Sequence, residues 1–176
     1  MTSSFRNVVV LLSLAAAGVI THLLPHDMGF STVGAVSMLA AAYLSPRLML
    51  LPVLVTVTVA DAVNGFYGLL PMSFVYLAHL AGALAVRPLL RSTTAGRIAG
   101  AAVVNAVVFY LVSNLTPMAM GFYPATVEGW LACYVSALPF LLKGIVANGV
   151  FGGAVFGVIW LVREHRAHRF AAAQRH

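Results

Sequence analysis

Long apolar stretches alternate with short polar segments along the whole chain. Apolar runs cover 7–24, 31–44, 48–70, 73–90 and 98–115, and a longer run covers 126–162. A helix needs about 20 residues to cross about 30 Å of hydrocarbon, so these runs predict membrane-spanning helices, with a short second span. The pattern predicts an all-α integral membrane protein with a single membrane domain over 1–176.

The last apolar run is too long for one crossing. It contains Pro139 and Lys143 near its centre. An interior proline removes a helix hydrogen bond and kinks or ends the helix. We therefore expect an extra outer or re-entrant segment over 126–140, a spanning helix over 141–162 and a basic tail over 163–176.

The placement of the basic residues predicts how the chain crosses the membrane. Lys and Arg accumulate in cytoplasmic loops. Six spans, with the N and C termini in the cytoplasm, put every arginine on one side, whereas a full crossing by 126–140 would move the tail arginines outside. The arginines that support this topology are Arg6, Arg47, Arg87, Arg91, Arg97, Arg163, Arg166, Arg169 and Arg175.

Composition agrees with a membrane setting. Hydrophobic residues make up 61% of the 176 residues and charged residues only 8%, against about 25% in soluble domains. The net charge of +6 is spread over loop ends and the tail. This distribution favours contact with the lipid bilayer, through anionic headgroups, or with a cytoplasmic partner, and we expect no nucleic-acid partner.

Uncommon polar side chains gather at the predicted outer end of the spans. An ionisable side chain in hydrocarbon costs at least ~2.5 to 3.5 kcal/mol and therefore faces a cavity or a partner. Asp61 is expected to face a ligand cavity; the alternatives are an ion pair with Lys143 and an acid at the membrane interface. The predicted ligand-binding residues are Asp61, His22, His26, Asn64, Tyr67, Asn114 and Lys143. Acids outnumber the lysine on this side, which favours a neutral or cationic ligand.

A metal site is a weaker hypothesis. His22 and His26 have a spacing that places two side chains on one helical face, but Pro25 interrupts that geometry. Hydrogen bonding in a loop is the simpler role for these two histidines. Cys133, the single cysteine, is a third weak candidate ligand, and the alternative for it is a small packing residue. His79 lies inside an apolar run, where hydrogen bonding between helices is the more common role.

Small residues recur at four-residue spacing. Gly149, Gly153 and Gly157 form one such stripe, and Ser13 with Ala17 resembles it. Such stripes let membrane helices approach closely. They predict either packing within this domain or docking of a second membrane subunit.

Motifs of several enzyme classes are absent from the sequence. The chain contains neither a GxxxxGK[ST] phosphate loop nor a helical HExxH motif. A GxSxG nucleophile motif is absent as well. We therefore expect a protein that is not an enzyme and has no cofactor, and a transporter of this kind would need a gradient or an external partner as its energy source.

Several segments resemble a known class of membrane proteins. They are "LLPHDMGFSTVGAVSMLAAAYL", the third span with Asp61, "FYPATVEGWLACYVSALPFL" and "GIVANGVFGGAVFG". In these segments and in size the chain resembles the substrate-binding S component of energy-coupling factor (ECF) transporters, within an uncharacterised family of small bacterial S-component-like proteins. The resemblance implies uptake of a vitamin or related micronutrient across the bacterial inner membrane, energised by a transmembrane coupling subunit and two ATPases.

Alternatives to this function remain open at this point. The docking pattern that the resemblance implies on the first helix is represented here by Ser13, Ala17 and Thr21, so the protein could also act alone. Solitary carriers of this kind include corrinoid carriers with a cysteine facing cobalt, which makes a corrinoid a ligand alternative with Cys133. A membrane-integral enzyme or structural partner subunit, using Asp61, His22 and His26, is the second hypothesis.

Overall fold

The computed structural model describes residues 3–24 and 30–173, and in this part of the chain it contains helices and no β-strand. A 3-10 turn at Leu89–Arg91 and a π-helical stretch at Asn148–Gly152 supplement the α-helices. The α-helices are α1 (Ser3–Leu23), α2 (Val33–Tyr43), α3 (Leu50–Asn64), α4 (Leu69–Val86), α5 (Ala95–Ser113), α6 (Leu115–Ala119), α7 (Val127–Ser136), α8 (Leu138–Ala147) and α9 (Gly153–Ala173).

Four helical stretches are long and apolar enough to cross a membrane. They are Phe5–Leu23, Leu69–Val86, Ala95–Ala119 and Val127–Arg169. The remaining apolar helices, α2 and α3, are shorter. The chain is therefore an all-helical protein with the length and composition of a membrane protein, as the sequence predicts.

The outer boundary predicted for the third span is wrong. The sequence predicts a span over 48–70, but α3 ends at Asn64 and α4 already begins at Leu69. The break lies at Gly65 and Gly68, whose φ angles are 99° and 108°. Glycine adopts this left-handed region without a steric penalty, so two glycines turn the chain inside a stretch that hydropathy reads as continuous.

The division of the last apolar run also differs from the prediction. The break falls at Ala137, between α7 and α8, rather than at 140–141. Pro139 lies in the first turn of α8, where the backbone N–H that proline lacks would have no helical partner anyway. Proline therefore starts a helix here instead of interrupting one. The predicted basic tail continues α9 as far as Ala173.

The segment before α8 is tied to α5 by two tyrosines. The hydroxyl of Tyr110 donates to the backbone oxygen of Tyr134, and the hydroxyl of Tyr134 donates to the oxygen of Leu111 at 2.8 Å. The two rings meet edge to face, 5.4 Å apart. At the start of α7, Thr126 accepts a hydrogen bond from the backbone N–H of Gly129 and caps the helix. These contacts fix α7 against the end of α5.

Helix α2 is the centre of the fold. All nine residues from Val33 to Ala41 are buried, and α1, α3, α4, α5 and the π-helical stretch pack around them. Its 11 residues extend about 16 Å, roughly half the thickness of the hydrocarbon. A helix that is apolar on every side is stable only when other helices surround it, so α2 depends on the ring of longer helices.

Close approach to α2 is possible because glycine occupies Gly34. A Cβ there would overlap the side-chain oxygen of Asn148 and lie 2.7 Å from that of Asn105. On the opposite side, a Cβ on Gly82 would lie 2.8 Å from Nδ2 of Asn105. Asn148 donates to Asn105 at 3.2 Å and to the backbone of Ala102 at 3.1 Å. We call Gly34, Gly82, Asn105 and Asn148 the amide junction.

Arg87 closes the other end of α2. Its Nη1 donates to the backbone oxygens of Ala41, at 3.2 Å, and Leu44, at 3.1 Å. The last carbonyls of a helix lack partners within the helix, and a cation there also meets the negative end of the helix dipole. Arg87 therefore has a structural role in addition to its contribution to charge asymmetry.

The glycine stripe does not pack within the described chain. A Cβ added to Gly149, Gly153 or Gly157 would have no described neighbour within 4 Å. Of the two alternatives for this stripe, close packing within the domain is therefore not seen among the described residues. In contrast, Ala78 and Gly82 on α4 are buried.

We expect Gly34→Ala to destabilise the protein. The added methyl group overlaps Asn148, and overpacking of this kind costs about 1 to 3 kcal/mol. For a chain of this size the apparent unfolding temperature should fall by roughly 2 to 12 °C. Thermal unfolding in detergent, followed by circular dichroism, measures the change.

Gly96→Ala is the matched control, because no described atom lies within 4 Å of its Cβ position on α5. Adding Asn148→Ala to Gly34→Ala should recover part of the loss, since the overlapping oxygen is removed. Equal unfolding temperatures for Gly34→Ala and Gly96→Ala would contradict the role of the amide junction.

Candidate functional site

A cavity of about 450 Å³ lies between the helices. It falls in the size range of small-molecule sites, which is about 300 to 1,000 Å³. Residues from α1, α2, α3, α4, α5, α8 and the π-helical stretch contribute to its wall. The lining residues are His22, Ser31, Gly34, Val57, Asp61, Tyr67, Val75, His79, Asn105, Ala106, Phe109, Tyr110, Ser113, Asn114, Ala137, Phe140, Leu141, Gly144 and Asn148.

The cavity is elongated along α5. Asn105 and Asn114 both line it, and nine residues of helix separate them by about 13 Å. We call the end at Asn114 the upper end and the end at Asn105 the lower end. Asp61 lies in the last turn of α3, and Tyr67 lies in the loop that follows.

Asp61 is the one acid among the described lining residues. Its Oδ2 is buried and has no hydrogen-bond partner among the described residues. A buried polar atom without a partner costs free energy comparable to a lost hydrogen bond, and more if the group is charged. Asp61 lines the cavity, so its carboxylate is a polar group of the wall whose hydrogen bonding is incomplete.

Tyr67 provides a neutral hydroxyl near Asp61. Burial and, secondly, the negative charge of Asp61 raise the pKa of Tyr67 to about 12. The phenol is therefore protonated at neutral pH and is able to donate a hydrogen bond. Its side chain remains 48% exposed, so Tyr67 connects the cavity with the surface of the protein.

His22 is positioned by the residues that precede α2. Its Nδ1 lies 3.0 Å from Oγ of Ser31, and the hydroxyls of Thr21 and Thr32 lie 2.8 Å apart. These two contacts join the end of α1 to the start of α2. They hold the His22 ring in the wall of the cavity.

An aromatic wall lies between the two ends. The rings of His79 on α4 and Phe109 on α5 are 4.5 Å apart and inclined by 38°. Tyr110 and Phe140 add further rings to the lining. Aromatic faces attract flat rings and cations, so this wall is suited to a ligand with either property.

The lower end of the cavity is polar and carries no formal charge. Asn105 and Asn148 are 3% and 4% exposed and hydrogen-bond to each other. Gly34 and Gly144 also line the cavity here, and their missing side chains leave space beside the two amides. The same residues thus belong to the amide junction and to the lining.

A second cavity adjoins the upper end. It measures about 320 Å³ and shares Asn114, Ala137 and Phe140 with the first. Cys133 lines this second cavity, and its thiol lies 3.6 Å from the backbone oxygen of Asn114. His22 lines the first cavity only. The described part of the chain contains no group of three His, Cys, Asp or Glu side chains suited to a metal ion.

The structure brings four of the predicted ligand-binding residues together. Asp61, His22, Tyr67 and Asn114 all line the first cavity. Asn64 and Lys143 are exposed and do not line it. His26, also predicted for ligand or metal binding, lies outside the described residues.

Six further polar residues line the cavity without a predicted role in ligand binding. They are Ser31, His79, Asn105, Tyr110, Ser113 and Asn148. His79, Asn105 and Asn148 are polar side chains inside apolar runs. The rule that selected Asp61 could have found them, since a polar group in such a run faces a cavity or a partner.

Comparison with known proteins identifies a family but no characterised relative. Neither a curated protein nor a solved structure matches the chain. A sequence model of a family of unknown function, DUF6580, matches residues 2–172. Because this match covers nearly the whole sequence, the chain belongs to the DUF6580 family.

Proposed function

We propose that the protein is the membrane-embedded substrate-binding component of an uptake system for a vitamin or related micronutrient. The single observation that carries this proposal is the cavity lined by Asp61, a buried acid whose Oδ2 has no described partner. Resemblance to the S components of ECF transporters points in the same direction. In this proposal the protein is not an enzyme, and its ligand is neutral or cationic.

Cavity size supports a small molecule over a bare metal ion. A cavity of about 450 Å³ falls in the range of small-molecule sites, and a bare metal ion would leave most of this space empty. A metal-dependent membrane enzyme has less support, because the described residues contain no suitable ligand cluster.

The proposed topology has six spans in the bacterial inner membrane, with both termini in the cytoplasm. In this arrangement the segments that contain the shorter helices α2 and α3 also carry the chain across the membrane, and α7 is the outer segment. The upper end of the cavity, with Asp61 and Asn114, then faces outward. Arginine asymmetry supports this orientation, since Arg47, Arg91 and the arginines of α9 are at the opposite ends of the helices.

A second membrane subunit is the proposed partner of the glycine stripe. Gly149, Gly153 and Gly157 have open space beside them, and Ser13 and Ala17 on α1 are exposed. Such surfaces allow close helix contacts in the membrane. A coupling subunit with its ATPases would supply energy through this contact; without one, the protein acts alone.

Labelling of single cysteines tests the topology. In a Cys133→Ser background, Met120→Cys should react with a membrane-impermeant maleimide in intact cells. Ser92→Cys, between α4 and α5, should react only after permeabilisation. The opposite pattern would exclude six spans with cytoplasmic termini.

Asp61→Asn tests the binding site. Loss of a hydrogen bond to a charged group should weaken binding of the co-purified small molecule about tenfold to a hundredfold. The molecule is identified by mass spectrometry after mild purification, and its binding is measured as ligand-induced thermal stabilisation. Glu128→Gln is the matched control, because Glu128 is an exposed acid outside the lining. Unchanged stabilisation of Asp61→Asn would remove Asp61 from the site.

Gly153→Leu tests the docking surface. Because the position is open, the variant should fold and bind ligand normally but lose uptake of the co-purified molecule into cells. Val158→Leu, at an exposed position of the same helix, should retain uptake. Normal uptake by Gly153→Leu would show that the stripe faces lipid.

A further inference from the structure

The polar groups of the first cavity are distributed unevenly along its length. The upper end contains Asp61, whose Oδ2 has no described partner. The lower end contains two amides that hydrogen-bond to each other. Between them stand the rings of His79 and Phe109. An occupant that satisfies all three regions must differ in chemistry from one end to the other.

The upper end is suited to a positive charge. No arginine or lysine is among the described residues that line the cavity, and Asp61 is their one acid. The phenol of Tyr67, kept protonated by burial and by Asp61, is neutral. A cationic N–H group at the carboxylate of Asp61 would supply a donor and a compensating charge, which makes the hydrogen bond about twice as strong as a neutral one.

The middle of the cavity is suited to a flat ring. His79 and Phe109 present rings 4.5 Å apart on neighbouring helices, and the side chains of Tyr110 and Phe140 complete the wall. Stacked or edge-on aromatic pairs gain about 0.5 to 1.5 kcal/mol beyond area burial, equivalent to roughly two- to twelvefold in affinity. A linear aliphatic cation would not gain this contribution.

On this basis, and resting on the proposed ligand-binding function, we infer that the cavity takes a compact aromatic or heteroaromatic ligand with one positively charged nitrogen. The charged nitrogen faces Asp61, the ring lies against His79 and Phe109, and a neutral polar substituent fits beside Asn105 and Asn148. Polyanions and aliphatic acids are excluded from this class, because they would place a negative charge next to the carboxylate of Asp61.

Four probes of similar shape test the charge and the ring separately. They are naphthalen-1-ylmethylamine, its neutral analogue naphthalen-1-ylmethanol, the anion 1-naphthoate and the saturated decahydronaphthalen-1-ylmethylamine. Binding to the full chain in phosphatidylcholine nanodiscs is measured by equilibrium dialysis, with empty nanodiscs as the blank. The aromatic amine should bind at least tenfold more tightly than the alcohol or the naphthoate, and about two- to twelvefold more tightly than the saturated amine.

Variants then assign these preferences to residues. Asp61→Asn should weaken binding of the amine about tenfold to a hundredfold and leave binding of the alcohol unchanged. Glu128→Gln should bind both as the wild type does. Phe109→Leu, which keeps the apolar volume, should reduce the preference for the aromatic amine over the saturated one. If a variant fails to fold, the comparison of the four probes on the wild-type protein still tests the inferred ligand class.

The outcomes separate this inference from the proposed function. Equal binding of the amine, the alcohol and the naphthoate would overturn the assignment of a cationic ligand but would leave a ligand-binding cavity. If the co-purified molecule is an anion and still binds to Asp61→Asn, the assignment of a cationic ligand is likewise overturned and a ligand-binding cavity remains. Absence of saturable binding by every probe overturns the inference, and if no small molecule co-purifies either, the proposed function fails as well.

Discussion

The fold depends on complete enclosure of the short helix α2. Its residues Val33 to Ala41 are all buried, and the helix is too short to cross the hydrocarbon by itself. Enclosure brings the neighbouring backbones and side chains close, which requires glycine at Gly34. Two buried amides, Asn105 and Asn148, use the space that the glycine leaves and are joined by a hydrogen bond from Asn148 to Asn105. Polar groups and close packing are therefore compatible at the amide junction.

The cavity is a consequence of the same arrangement. Gly34, Asn105 and Asn148 belong both to the amide junction and to the cavity wall, so the contact that holds the helices together also forms the lower end of the candidate site. A rigid lower end is useful for binding, since a preorganised wall loses little entropy when a ligand enters. The upper end is built differently. There one carboxylate oxygen of Asp61 has no described partner, so the hydrogen bonding of this acid is incomplete.

The outer surface of the helices differs from the interior in the size of its apolar side chains. Large apolar side chains such as Leu12, Leu84 and Val158 are exposed, as expected for positions that face lipid instead of water. Small residues are found both in the interior and on the outer surface of the helices. Ala78 and Gly82 are buried, whereas the stripe of Gly149, Gly153 and Gly157 is open. Spacing of small residues in a sequence therefore indicates that a close contact is possible, without indicating which helix makes it.

Several features were determined by the sequence alone. The apolar runs predict helices because backbone groups in hydrocarbon must be satisfied within the segment, and the helical fold agrees. Polarity within those runs identified Asp61, His22, Tyr67 and Asn114, and all four line the cavity.

Hydropathy could not place the breaks at Gly65 and Ala137, because backbone angles and helix capping hardly change the hydropathy of an apolar stretch. Tertiary structure decided which polar residues meet, excluding Asn64 and Lys143 from the lining and adding His79, Asn105 and Asn148. The physical reason is that a cavity is the space left between several helices, so its lining depends on their relative rotation and distance, which no single segment encodes.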